Sequence, residues 1–315
     1  MNRRVYSVRK FKSPMVLRDV VGILLAALAC CGTARPEVCP GSKVKKADLV
    51  KFDQHLVLPQ NEIDAAIAKH LPGGAPECAK LLVLREYVVR YDTQRRIPLW
   101  TSYRLTASEI IQKERRDAFR TDERLTDNEN AHCVDDKGTG YDRGHTVPRD
   151  DMNRTFEVQA DTFLLSNMSP QTPALNRGIW RWLEELVRVW GKEFNTVYVI
   201  AGPVFVGQHT RTVPSGRVAI PTEFFKIVIR RNQNGDLQAE TFLLTNGSHL
   251  PVPPGTMGVA SQRITAQQAD DYLFQHSTSI SHIEQLTGLR FFPGLTAAQR
   301  QALESNVPET LWPRN

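Results

Sequence analysis

Apolar side chains recur every three or four residues at Leu175, Ile179, Trp182, Leu183, Leu186, Val187 and Trp190. That period predicts a helix after Pro173 with one buried face. Upstream, Tyr87, Val89 and Tyr91 alternate with other residues, Asp92-Thr93-Gln94 forms a turn, and 97–103 is again strand-like, so the three pieces read as a hairpin. A buried strand is expected over 197–202, ending at a Gly-Pro turn, with further strands over 227–229 and 240–245. Residues 62–70 have weak helical character. Ser279 can cap a short helix that runs to Leu286 and ends at Gly288. The polar stretches 126–140 and 207–216 and the Pro/Gly-rich stretch 248–261 read as loops. There is no internal repeat.

The first 34 residues break this pattern. Arg3, Arg4, Arg9, Lys10, Lys12 and Arg18 precede an apolar run over 20–29, and Gly32-Thr33-Ala34 supplies small residues for cleavage. The run is short for a membrane span, so a secretory signal peptide is the first expectation. An uncleaved anchor and an Arg-rich mitochondrial presequence are the alternatives, since Asp19 is the sole acid there. Residues 35–80, divided by Pro36, Pro40, Pro59 and Pro72, read as an N-terminal extension, and 81–315 as the main domain.

Charge follows the same division. The chain is formally +6, and the leader holds most of that excess, leaving about +1 for the remainder. Binding to a polyanion therefore has to come from a local basic patch. Of the five cysteines, Cys30 and Cys31 lie in the leader. Cys39, Cys78 and Cys133 remain, which in an exported protein gives one disulfide and one thiol. Cys39 can pair with Cys78 or with Cys133. Their spacing does not suggest a zinc site.

Candidate chemistry concentrates between Tyr141 and Glu184. Asp142, Arg143, Gly144 and His145 stand side by side, and on an extended segment Arg143 and His145 face the same way. Imidazole is the side chain best suited to take a proton near neutral pH. Asn176 falls near the start of the predicted helix, where its amide oxygen can cap the helix or bind a hard cation. Glu184, eight residues on, returns to a similar face. Taken singly, Asn176 fits a cap and Glu184 a solvent-facing charge.

Taken together, Asp142-Arg143-Gly144-His145, Leu165-Ser166-Asn167, Pro170-Gln171, Leu175-Asn176, Trp180 and Leu183-Glu184 resemble the pattern of the sugar-non-specific DNA/RNA endonucleases. The likeness extends over 82–293, through the hairpin, the stretch from Pro221 to Lys226 and the segment from Thr287 to Pro293. It implies an α+β fold of the ββα-metal (His-Me finger) type, a central mixed or antiparallel sheet with helices on both sides. It also implies hydrolysis of DNA and RNA to 5′-phosphate products. His145 would be the general base and Asn176 the ligand to Mg²⁺, with Mn²⁺ as a substitute. Asn167 and Glu184 would orient the shell around the metal. Arg143 would stabilise the charged phosphate, and Asp142 would position its neighbours. The family places a further arginine shortly before an aromatic residue. Arg116 before Phe119 is the candidate, with Arg115 and Arg120 as neighbouring registers. DNA and RNA are the expected partners. No stable membrane association is expected after leader cleavage, and the family admits a homodimer. A silent nucleic-acid-binding module on the same fold and a restricted nucleotide phosphodiesterase are the competing readings.

Overall fold

A six-stranded sheet organises the chain, in the order β1 (Leu81–Val83), β2 (Val88–Asp92), β3 (Ile97–Thr106), β6 (Thr196–Val204), β9 (Glu223–Arg231) and β10 (Leu237–Thr245), while the short strands β7 (Arg211–Thr212) and β8 (Ala219–Ile220) pair separately. It is seen in a computed structural model that describes residues 37–53, 56, 58–70, 80–207, 209–257 and 263–314. Every pairing within the sheet is antiparallel, which resolves the mixed-or-antiparallel expectation. The leader and Cys78 lie outside the described residues. Among the described residues no helix is long and apolar enough to cross a membrane.

Both faces of the sheet are covered, because alternate strand residues enter different cores. Tyr103, Leu105, Val197, Val199, Phe224 and Val228 face one core. Against them packs helix α4 (Trp180–Glu193), through the residues that repeat at helical spacing. Trp100, Ile200, Phe225, Ile227 and Ile229 face the other. That side is closed by Ile280 and Ile283 of α6 (Ile280–Thr287) and by Leu303 of α7 (Ala297–Glu304). Ser279 caps α6, and Gly288 ends it at φ 68°, the left-handed conformation that glycine adopts readily. Burying each large side chain contributes roughly 1.5–3 kcal/mol, so the two faces hold the sheet rigid beneath the site.

The N-terminal extension is strapped to this body. It carries α1 (Lys46–Asp53) and α2 (Gln60–His70). Val38 bridges to Arg120, and the backbone of Cys39 donates to Phe119 at 2.9 Å. This course brings Cys39 onto the 131–136 loop, where it forms a disulfide with Cys133 across a Cα–Cα distance of 5.1 Å.

Candidate active site

Two short strands build the floor of the site. β4 (Asp142–His145) pairs antiparallel with β5 (Met168–Gln171), Asp142 opposite Gln171 and His145 opposite Met168. Gly144 is a steric requirement of this pairing: a Cβ there would lie 2.3 Å from Gln171 Oε1. Arg143 and His145 share one side of β4. The Phe119 ring lies 4.8 Å from the Arg143 guanidinium and 5.8 Å from the imidazole. Phe163 meets the imidazole edge-on at 5.1 Å.

His145 is half-buried, and its Nε2 is buried with no hydrogen-bond partner among the described residues. Burial holds its pKa down to about 3, helped by the positive charges of Arg115 and Arg149. The ring is therefore neutral at physiological pH and can accept a proton.

Asn176 does not sit on a regular helix. It lies in a wide turn, Leu175–Ile179, that kinks at Gly178 before α4 begins. Such π turns occur frequently at functional sites. Its Nδ2 donates to Asp142 Oδ2 at 2.9 Å. A carboxylate can only accept, so this bond assigns the amide's orientation and leaves Oδ1 as its acceptor atom. Asp142 also takes two bonds from Arg177, at 2.7 and 2.5 Å. It thus ties the start of β4 to the kinked turn.

His145, Arg143, Asp142, Asn176 and Glu184 line one cleft of about 790 Å³. Arg115, Arg149, Arg177 and Arg181 line it too, as do Asp136 and Asp150, so that Arg143 pairs with Asp136, Arg149 with Asp150 and Arg177 with Asp142. Burial pushes the Glu184 carboxyl up to about 7, against the pull of Lys226 and Arg188. Lys226 is fully buried on β9, with its ammonium 4.4 Å from the Trp180 ring centroid. Behind Glu184, Arg188 donates to Asp151 at 2.9 Å, and Asp151 accepts from the Tyr103 hydroxyl at 2.6 Å.

Three expected positions change. Arg116 is not in the cleft: it stacks on Phe156 of the short helix α3 (Phe156–Asp161) at 3.7 Å and pairs with Glu114, while Arg115, one residue earlier, enters the cleft. Arg120 is fully buried and pairs with Asp53 at 2.7 Å. Asn167 is also fully buried and does not reach the cleft. Its amide accepts from Val147 N at 2.9 Å and donates to Val147 O and Thr162 O. It therefore braces the chain just after His145. The sequence reading missed Arg149, Arg177 and Arg181. The last two were detectable, since Arg177, Arg181 and Glu184 follow the spacing of one helix face.

Comparisons with known proteins give the family. Residues 67–298 match the family described as DNA/RNA non-specific endonuclease. Human mitochondrial endonuclease G is 28% identical over 235 residues, 71% of this chain and 73% of its own. A nuclease of Nostoc sp. is 29% identical over 270 residues, 81% of this chain and 91% of its own. Nuclease C1 of Cunninghamella echinulata is 34% identical over 187 residues, 55% of this chain and 74% of its own. A crystal structure of an EndoG/EndoGI complex superposes with a TM-score of 0.63 at 25% identity, covering 76% of this chain and 94% of that one. With the match spanning more than half of its length, the chain belongs to the DNA/RNA non-specific endonuclease family and is a nuclease.

Proposed function

We propose that this nuclease is a Mg²⁺-dependent, sugar-non-specific endonuclease that hydrolyses DNA and RNA to 5′-phosphate products. The convergence of His145, Asn176 and Glu184 with four further arginines in one cleft carries this reading. Among the described residues no three His, Cys, Asp or Glu side chains converge on a metal site. One amide oxygen backed by water is a donor set that suits Mg²⁺, which keeps much of its hydration shell. Asn176 Oδ1 would hold the ion, and Glu184 would orient water around it. When bound, the ion supplies charge neutralisation at the phosphate and at the departing O3′.

The chain's own residues do the remainder. The arginines draw a phosphodiester into the cleft. Its negative charge beside His145 offsets Arg115 and Arg149 and raises the imidazole's basicity. His145 takes a proton from water, which attacks phosphorus. Arg143 and Arg115 balance the charge that develops. Asp142 positions Asn176, and Asn167 braces the segment after His145. Because water attacks rather than a 2′-OH, the sugar does not matter. Export by the N-terminal leader fits this activity, with mitochondrial import as the alternative and a homodimer as a further expectation.

Cleavage of an RNA and a DNA oligonucleotide in ¹⁸O-water tests the chemistry. The proposal expects one ¹⁸O in each new 5′-phosphate. A 2′,3′-cyclic phosphate on the RNA products would overturn it.

A further inference from the structure

We infer that the Cys39–Cys133 disulfide is a positioning device for Arg143, so that the cleft is competent only while this bond is oxidised; the catalytic part of the claim rests on the nuclease reading above. Two walls hold the Arg143 side chain. One is the 133–136 loop, where Arg143 Nη2 donates to the Cys133 carbonyl at 3.1 Å and to Asp136 Oδ1 at 2.8 Å. The other is the Phe119 ring, 4.8 Å from the guanidinium. Cys39 joins the two. Its sulfur is bonded to Cys133, and its backbone N–H donates to the Phe119 carbonyl at 2.9 Å. Its neighbour Pro40 lines the cleft itself. A single residue of the N-terminal strap thus fixes the spacing between both supports of a cleft arginine.

Other contacts survive loss of the bond. Cys133 N still donates to the Glu37 carboxylate at 3.3 Å, and Asp135 still pairs with Arg217. Reduction is therefore expected to loosen the loop and leave the sheet and helices folded. The chemistry is thiol–disulfide exchange. A dithiol gives two electrons and two protons, the Cys39–Cys133 bond becomes two thiols, and the reductant closes to its own disulfide. A nuclease built this way stays weak in a reducing compartment and gains full activity in an oxidising one.

The test compares the oxidised protein with the same protein reduced by dithiothreitol and with Cys39→Ser. The kcat and KM for nucleic-acid cleavage are measured for each, in the wild-type and Arg143→Ala backgrounds, with circular dichroism as a check on folding. A misplaced charge stabiliser lowers kcat by about tenfold or more. The expected result is a fall of that order in kcat on reduction, recovered on reoxidation, and less than about a twofold change in Arg143→Ala. Arg143 Nε is buried without a partner among the described residues, so its Nε–Hε resonance reports the site directly. It should be dispersed in the oxidised protein and move to the exposed-arginine position on reduction. Equal activity in both redox states, or an equal loss with and without Arg143, overturns the inference. If the oxidised wild type cleaves nothing, the nuclease reading fails, and the resonance alone decides whether the disulfide positions Arg143.

Discussion

Asn176 and His145 answer for different halves of the chemistry, and their variants should separate. His145→Ala removes the proton acceptor and leaves the arginines in place. It is expected to lower kcat by about 10²–10⁴, with the circular dichroism spectrum unchanged. Asn176→Ala removes the amide oxygen and one of the bonds to Asp142, which stays paired with Arg177, so its activity should require more Mg²⁺ and recover in part as the ion is raised. A metal titration distinguishes the two, because added metal should not rescue His145→Ala. The arginine register gives a second contrast. Arg115 lines the cleft and Arg116 lies on Phe156. Arg115→Ala should therefore reduce kcat/KM at least about tenfold, the scale of a lost charge stabiliser, and Arg116→Ala much less. Equal losses measured under one set of conditions would contradict the assignment.

At the scale of elements, the pairing of β4 with β5 makes the site, and Gly144 makes the pairing. Gly144→Ala forces a methyl group into Gln171. Overpacking of this kind costs roughly 1–3 kcal/mol, so thermal melting should show a lower Tm and the cleft should lose activity with it. This pairing was also the hardest part to read from the sequence. Helix α4 announces itself through its apolar period, and the long strands β6 and β9 through nearly continuous apolar runs. Strands of four residues have no usable period, and their pairing is set by contacts between segments far apart in the chain. The kink at Gly178 was hidden for a related reason, since the apolar spacing runs through it. The helix α5 (Ala266–Gln275) escaped as well: only Ala269 and Leu273 of it are buried, too few for a clear stripe. Arg115 and Arg116 lie on a segment without regular structure, so Phe163 and Phe156, not a spacing rule, decide which way each points. His145, Asp142 and Asn176 were legible because the motif couples residue types whose chemistry belongs together.

For the whole molecule, buried ionisable groups set the response to pH. His70 is fully buried, with Nδ1 accepting from Arg104 N and Nε2 facing the Arg85 carbonyl. Burial lowers its pKa to about 3, so protonation would break the bond at Nδ1. Between about pH 6.5 and 3 the unfolded chain binds a proton at this residue that the native state refuses. Stability therefore falls as pH drops through that window, by up to about 1.4 kcal/mol per pH unit. Glu240, raised to about 8 by burial, acts in the opposite sense and destabilises the fold as pH climbs from its unfolded value near 4.5. The His70 contribution is isolated by comparing wild type with His70→Gln in urea unfolding. The stability advantage of the wild type should shrink between pH 7 and pH 4.5, and a constant difference would contradict the assignment.

The central claim is that one cleft, served by His145, cuts nucleic acid without regard to the sugar. The most direct measurement incubates purified protein with supercoiled plasmid and, separately, with a long RNA, in Mg²⁺ or in EDTA, beside His145→Ala. The account predicts that the wild type nicks the plasmid and shortens the RNA in Mg²⁺ alone, and that the variant does neither. Intact polymers in Mg²⁺, or equal cleavage by the variant, would contradict it.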